Sequence, residues 1–230
     1  MPESGTLYIV ATPIGNPQDI TLRAIEVLRN ADIVVCEERK EGARLMHQLG
    51  LTKELVLLNE HNERNEDEHM QELITMLREG KSLALISDCG TPLIADPGNI
   101  LVQMAIDFKI PIVPVPGVNS FITALTVSGF DTRQFVFRGM LSAKTDERKR
   151  ELRLLRNEKR TIILFDAPYR LERLISELAA TFGDSREAIV ALDLTLPKEA
   201  VLRGTLNEIY AMVQGKNWKR EFIVVLAGIV

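Results

Sequence analysis

The sequence predicts an α/β protein with two domains, and three observations lead to this fold class. Short apolar runs of strand length alternate with segments of helical periodicity along the chain. These runs lack polar alternation, which is typical of strands in a sheet that helices cover on both faces. A turn at Pro116-Gly117 separates a first α/β series from a second one. We therefore expect one domain over 1–116 and another over 117–230.

The first domain is expected to open with a βαβ unit. An apolar run at 7–11 precedes a proline-containing turn and a helix that Asp19 or Thr21 could cap, and a buried strand follows at 33–36. Gly80 is a typical residue for ending a helix. The remaining expected elements are a helix at 44–49, a strand at 55–58, a helix at 65–79, a strand at 83–87, a helix at 99–108 and a strand at 112–115.

The second domain is expected to hold a mixed sheet. Its expected elements are a helix at 119–128, a strand at 135–138, a charged helix at 144–157, a strand at 161–165, a helix at 168–182, strands at 188–192 and 200–204, a helix at 205–214 and a strand at 221–227. Two successive strands precede the last helix, and this indicates antiparallel pairs.

Composition excludes several classes of protein. With 230 residues, 46% of them hydrophobic, the chain is not disordered as a whole. A net charge of −4 excludes non-specific coating of nucleic acid by bulk positive charge, although a local basic patch is compatible with it. Two cysteines cannot form a disulfide framework, and no segment reads as a signal peptide or membrane span. We expect a cytoplasmic protein without a membrane segment.

Three loops that directly follow predicted strands are candidates for ligand binding. They cover 11–19, 87–98 and 114–120 and are rich in glycine and proline, with polar side chains between. Open α/β sheets bind ligands outside the carboxyl ends of their strands, where these loops would converge. For any one loop the alternative is ordinary turn chemistry. Neither a dinucleotide fingerprint nor a P-loop is present, and no cluster of ligand residues predicts a metal site.

The residues of these loops resemble the tetrapyrrole methylase superfamily. The resemblance rests on LYIVATPIGNPQDITLRA, EHNE at 60–63, SDCGTPLIADPG, PVPGVNSFITAL and FDAPYR at 165–170, and it extends from about residue 6 to about residue 228. Within the superfamily it is to the branch that methylates ribosomal RNA at a ribose 2′-oxygen. The resemblance implies S-adenosylmethionine bound in a cleft between two α/β domains, usually in a homodimer. The cofactor-facing positions that it implies are Pro13, Ile14, Asp88, Gly90, Leu93, Ser120, Phe121, Phe165, Leu192, Asp193 and Glu221.

Methyl transfer to a hydroxyl depends on in-line positioning and is helped by a general base. The candidates for that base are Glu38, Lys40 and His61. The alternative for 37–40 is a solvated run of charges, and for His61 it is a surface hydrogen bond.

The segment 144–160 inverts the charge of the whole chain, with eight basic and four acidic residues. We expect Arg148, Lys149, Arg153 and Arg156 to contact the RNA backbone. The alternative is a solvated helix with partial ion pairing between successive turns.

The leading interpretation is S-adenosylmethionine-dependent 2′-O-methylation of a cytidine in small-subunit ribosomal RNA, free or in the small ribosomal subunit. Two alternatives stay open, a small-molecule methylase of the corrin and porphyrin pathways and a non-catalytic cofactor-binding module. Pro13 and the EHNE segment favour the RNA branch, because the small-molecule methylases usually carry glycine in place of Pro13.

Overall fold

The computed structural model describes residues 4–59 and 67–229. The chain divides into two compact units, Met1–Asn119 and Ser120–Val230. Each unit has its own five-stranded sheet. The division falls just after the predicted turn at Pro116-Gly117.

The first unit contains an entirely parallel sheet. Its strands are β1 (Leu7–Val10), β2 (Ile33–Cys36), β3 (Glu54–Leu57), β4 (Leu83–Ile86) and β5 (Ile112–Val115). They lie in the order β3-β2-β4-β1-β5, and each neighbouring pair is parallel. Every residue of β2 and β4 is buried, as expected for central strands covered on both faces.

Helices cover both faces of this sheet. They are α1 (Leu22–Asn30), α2 (Arg39–Gln48), α3 (Asp67–Arg78) and α4 (Asn99–Asp107). One apolar cluster joins the sheet to α3 and α4, and a second joins the other face to α1 and α2. Neighbouring residues of β2 divide between them, with Val35 in the first cluster and Val34 in the second.

The structure decides between the two expected caps of one helix and moves the start of another. Of the two candidates for capping α1, Thr21 does so, because its Oγ1 accepts a hydrogen bond of 3.0 Å from Ala24 N, whereas Asp19 lies in a preceding 3₁₀ turn. Helix α2 starts at Arg39 rather than near residue 44. Gly42 permits this early start, since a Cβ added there would lie 2.8 Å from Cys36 Sγ.

The second unit contains the predicted mixed sheet. Its elements are α5 (Ser120–Thr126), β6 (Phe135–Met140), α6 (Thr145–Leu155), β7 (Thr161–Phe165), α7 (Leu171–Phe182), β8 (Glu187–Leu192), β9 (Ala200–Thr205), α8 (Leu206–Val213) and β10 (Phe222–Leu226). The strand order is β6-β7-β10-β8-β9. Strands β6 and β7 are parallel, and the other three pairs are antiparallel.

The core of the second unit lies between this sheet and residues of α6, α7 and α8. Helix α8 begins with a capping box in which Thr205 and Glu208 satisfy each other's backbone N–H groups. Across the described parts of both units, no helix is long and apolar enough to cross a membrane.

Candidate functional site

The three candidate loops of the first unit are joined by hydrogen bonds at the carboxyl edge of its sheet. Thr12 N donates to Gly90 O at 2.8 Å, and Gly90 N donates back to Thr12 O at 3.2 Å. Thr91 Oγ1 donates to Val118 O at 3.0 Å and so connects the second loop to the third. The structure therefore brings the three loops together through contacts made within this unit.

Close backbone approach in these loops depends on glycine. Gly90 has φ +86°, and a Cβ added there would lie 3.2 Å from Ile14 Cγ2. Gly98 has φ +120°, and its added Cβ would overlap side-chain atoms of Leu85 and Leu93 at 2.8 Å. Because L-residues rarely adopt these φ values, the sequence at both positions is restricted by the shape of the loop.

Carboxylates gather at this edge of the sheet. Asp88 Oδ1 accepts a hydrogen bond of 3.2 Å from the backbone N–H of Glu38, which links the loop after β4 to the loop after β2. Burial raises the pKa of Asp88 above its ordinary value, and the charges of Glu38, Glu41 and Asp96 raise it further against the lowering effect of that hydrogen bond. Burial also raises the pKa of Asp96. An edge with this charge favours a cationic ligand.

Cys36 is not a nucleophile in this setting. Its thiol is buried at the end of β2, and burial together with the Asp88 carboxylate raises its pKa to about 11. The thiol is therefore protonated at neutral pH, and its packing against Gly42 indicates a structural role.

Predicted cofactor positions of the second unit meet at one edge of its sheet. Phe165 ends β7 opposite Ile223 of β10, and Leu192 ends β8 opposite Phe222 of the same strand. Since β10 runs antiparallel to both neighbours, Glu221 at its start lies at the edge where β7 and β8 end.

Asp193 is held beside Glu221 at this edge. Asp193 N donates to Glu221 O at 2.9 Å, and its carboxylate accepts a bond of 2.6 Å from Arg220 Nε. The pKa of Glu221 is raised by partial burial of its carboxyl group and by the charge of Asp193. Asp193 has φ +47°, so a strained turn fixes its position.

An aromatic cluster connects the start of α5 to the same sheet. The rings of Phe121 and Phe137 stack at 4.3 Å between centroids, and Phe137 meets Phe165 edge-on at 5.0 Å. Ser120 precedes Phe121 as the first residue of α5. The predicted positions thus form two groups, one in each unit.

The candidate general bases have different surroundings. Glu38 is the exposed N-cap residue of α2 beside Asp88, and Lys40 is exposed in the first turn of that helix. His61 and the rest of the EHNE segment lie outside the described residues. In the described ranges, no three His, Cys, Asp or Glu side chains are grouped so as to hold a metal ion.

The structure corrects the expectation for Arg148. Only 1% of its surface is exposed, and its guanidinium donates to both oxygens of Glu177, at 2.6 and 2.8 Å. Arg148 lies one turn before the buried Leu152, on the face of α6 that packs inward, so it cannot face an RNA chain in this conformation. Lys149, Arg153 and Arg156 are exposed.

Thr12 is a site residue that the sequence interpretation missed. Its side chain is buried, and its Oγ1 donates to Ser87 O at 3.2 Å, which adds a side-chain bond to the backbone pairing with Gly90. The available signal was a polar residue directly after a buried strand, where a buried hydroxyl needs a hydrogen-bond partner.

Solved structures share the fold of this chain. The chain superposes on diphthine synthase with a TM-score of 0.71 at 17% identity, over 97% of this chain and 90% of that one. It superposes on uroporphyrin-III-C-methyltransferase from Thermus thermophilus with a TM-score of 0.67 at 22% identity, over 97% and 94%. At these identities the likeness establishes the fold, that of the tetrapyrrole methylases.

Sequence similarity identifies the family more specifically than structural similarity does. Residues 6–210 match the family described as Tetrapyrrole (Corrin/Porphyrin) Methylases. The chain is similar to proteins named Ribosomal RNA small subunit methyltransferase I. Identity is 44% to that of Micromonospora olivasterospora, over 98% of this chain and 71% of the relative. It is 41% to that of Xylella fastidiosa, over 99% and 83%, and 37% to that of Bacillus subtilis, over 98% and 76%.

The chain belongs to the tetrapyrrole methylase family, in the branch of the relatives named ribosomal RNA small subunit methyltransferase I. This confirms the resemblance inferred from the loop motifs. The protein is a methyltransferase with S-adenosylmethionine as its methyl donor.

Proposed function

We propose that this protein methylates the ribose 2′-hydroxyl of a cytidine in small-subunit ribosomal RNA. The observation that carries the choice of small-subunit ribosomal RNA is similarity, over 98–99% of this chain, to relatives named Ribosomal RNA small subunit methyltransferase I. The choice of a cytidine and of its 2′-oxygen rests on the resemblance of the loop motifs. The joined loops at the carboxyl edge of the first sheet support a site for a compact ligand.

The residues of the first unit fit S-adenosylmethionine in charge and shape. Bound there, the cofactor supplies a methyl group activated by a positively charged sulfur. Asp88 and the neighbouring carboxylates Glu38 and Asp96 would face a cationic ligand favourably. Gly90 leaves space beside Ile14 for close backbone approach. The residues proposed to hold the cofactor in this unit are Pro13, Ile14, Asp88, Gly90 and Leu93.

The second unit is proposed to contribute the residues gathered at its sheet edge. They are Ser120, Phe121, Phe165, Leu192, Asp193 and Glu221. The aromatic cluster offers apolar contact, and the backbone around Asp193 offers hydrogen-bonding groups. A cofactor position between the two domains stays a prediction.

A base that accepts the 2′-hydroxyl proton would be supplied by Glu38, Lys40 or His61. Glu38 is favoured because it is a carboxylate whose backbone is fixed by the bond to Asp88. A proton acceptor in contact with the hydroxyl typically accelerates such a step by about 10²- to 10⁴-fold.

The substrate is tested by incubating the purified protein with radiolabelled S-adenosylmethionine and, separately, 30S subunits, free ribosomal RNA or a uroporphyrinogen. We expect label on RNA. Label on the tetrapyrrole alone would favour the small-molecule alternative, and label on nothing, with no cofactor binding in titration calorimetry, would favour the non-catalytic one.

We also propose that the protein acts on the ribosomal RNA or the small ribosomal subunit in the cytoplasm as a homodimer without a metal. Light scattering of the purified protein tests the dimer. Retention of methyl transfer after chelation tests the independence from metal.

A further inference from the structure

The second unit contains a groove outside the predicted cofactor positions. Its volume is about 530 Å³. Residues of α6, α7, α8 and the turn after β7 line it, among them Thr145, Lys149, Tyr169, Arg173, Glu177 and Tyr210. We propose that this groove, continued by the basic face of α6, holds a single-stranded segment of the RNA substrate, with a base stacked on Tyr169. This inference rests on the proposed function.

Tyr169 is an exposed aromatic ring that its neighbours hold in place. It is 69% exposed and lies in a short 3₁₀ turn, Pro168–Arg170. Arg170 Nη2 donates to the Tyr169 hydroxyl at 3.2 Å, and the guanidinium lies 5.3 Å from the ring centroid. Arg170 in turn donates to the buried carboxylate of Asp166 at 3.0 Å. A ring presented in this way loses little conformational freedom when a base stacks on it.

The wall of the groove is balanced in charge, with Lys149 and Arg173 against Glu172 and Glu177. Arg173 donates to Glu177 at 3.0 Å and to Thr145 Oγ1 at 2.7 Å. Glu177 therefore has two cationic partners, Arg148 and Arg173, and both lower its pKa. Because Arg148 is buried, it is not available to phosphate. The cations available to phosphate are those along α6, Lys149 on the groove and Arg153 and Arg156 beyond it.

The basic face of α6 extends from this groove. Lys149 lines the groove, and Arg153 follows four residues later on the same face of the helix. Arg156 continues this spacing as the C-cap residue just beyond the end of α6. An aromatic platform beside a track of cations is the combination by which proteins bind single-stranded nucleic acid. Phosphates fit this unit better than the loops of the first unit, where carboxylates gather.

The test is binding of a short fluorescein-labelled single-stranded RNA of mixed sequence to the 230-residue protein, measured by fluorescence anisotropy. We expect Tyr169→Ala to weaken binding about tenfold, whereas the matched variant Tyr169→Phe keeps the ring and stays within about twofold of the parent. Calorimetric binding of S-adenosylmethionine and the urea midpoint should be unchanged in both, which separates a lost contact from a lost fold.

The outcomes distinguish this inference from the proposed function. Unchanged RNA binding by Tyr169→Ala, or equal loss in Tyr169→Phe, would overturn the stacking role, even if the parent methylates RNA. Failure of the parent to bind the RNA would overturn it too. Binding that depends on the Tyr169 ring, in a protein that methylates no RNA, would support the groove and reject the proposed activity.

Discussion

Arg148 and Lys149 are adjacent residues of the same charge with opposite roles. Arg148 is buried and bound to Glu177, whereas Lys149 is exposed on the groove. A basic run in a sequence shows the sign of the charge but not the side on which each side chain falls. The distinction becomes visible once Leu152, one turn later, is known to pack inward.

Replacement of Arg148 should therefore affect stability before RNA binding. Arg148→Glu removes a buried partner and places two carboxylates together, so we expect a loss of about 3–5 kcal/mol in the free energy of unfolding. Urea denaturation measures it. Lys149→Glu is the matched control and should change the value by less than about 0.5 kcal/mol. Similar stability of the two variants would refute the structural role of Arg148.

Gly90 is expected to support the shape of the cofactor loop. Gly90→Ala adds a Cβ at φ +86° close to Ile14, while Gly50→Ala adds one at φ +66° in open space. Both variants should lose about 1 kcal/mol of stability through the backbone conformation. Only Gly90→Ala should also weaken binding of S-adenosylmethionine, as measured by calorimetry. Equal affinity of the two variants for S-adenosylmethionine would contradict a role of Gly90 in the cofactor site.

The raised pKa of Asp88 predicts how cofactor binding depends on pH. Its pKa is raised, so it takes up a proton at higher pH than an ordinary aspartate, and cofactor affinity should fall as the pH is lowered through that value. Asp88→Asn should bind more weakly at neutral pH and lose this dependence. Calorimetry at a series of pH values checks this prediction. A parallel decline of cofactor affinity in parent and variant would exclude Asp88 as the source of the pH dependence.

The raised pKa of Asp88 also determines how this residue makes the free energy of unfolding depend on pH. Because the folded state favours protonated Asp88, the ionised group costs stability at neutral pH, and its contribution improves as the pH falls through the folded pKa. Asp88→Asn should therefore unfold at higher urea concentration than the parent at neutral pH.

At the scale of elements, strands were the easiest features to predict. The runs at 33–36 and 83–86 are continuously apolar, and the structure places both in the interior of the parallel sheet. The start of α2 was harder, because Glu38, Arg39 and Lys40 show no apolar periodicity and Gly42 is a poor helix former. The close packing of Gly42 on Cys36 is a tertiary effect that local helix propensity does not reveal.

Helix α6 makes a prediction as an element. If Lys149 and Arg153 each contact a phosphate, Lys149→Gln/Arg153→Gln should lower the slope of log affinity for single-stranded RNA against log salt by about 1.4. The control Lys109→Gln/Lys159→Gln has the same net charge, and all four residues are exposed. Anisotropy titrations at several salt concentrations give the slopes. An equal decrease in the control would attribute the effect to net charge alone.

At the scale of the whole molecule, the net charge of −4 conceals an uneven distribution. Carboxylates gather at the loops of the first unit, and exposed cations lie along one helix of the second. The fold class followed from the alternation of apolar runs with helical segments, and the family followed from the motifs; both signals are local in sequence. The groove at Tyr169 did not, because it is lined by α6, α7 and α8, which are separate in the chain.

Methyl transfer to a ribose of small-subunit ribosomal RNA is best tested by mapping the methylated product. The protein is incubated with labelled S-adenosylmethionine and 30S subunits from cells that lack this enzyme, and the RNA is digested and analysed by mass spectrometry. We expect label in one 2′-O-methylcytidine. Label on a base, or transfer only to a tetrapyrrole, would contradict it.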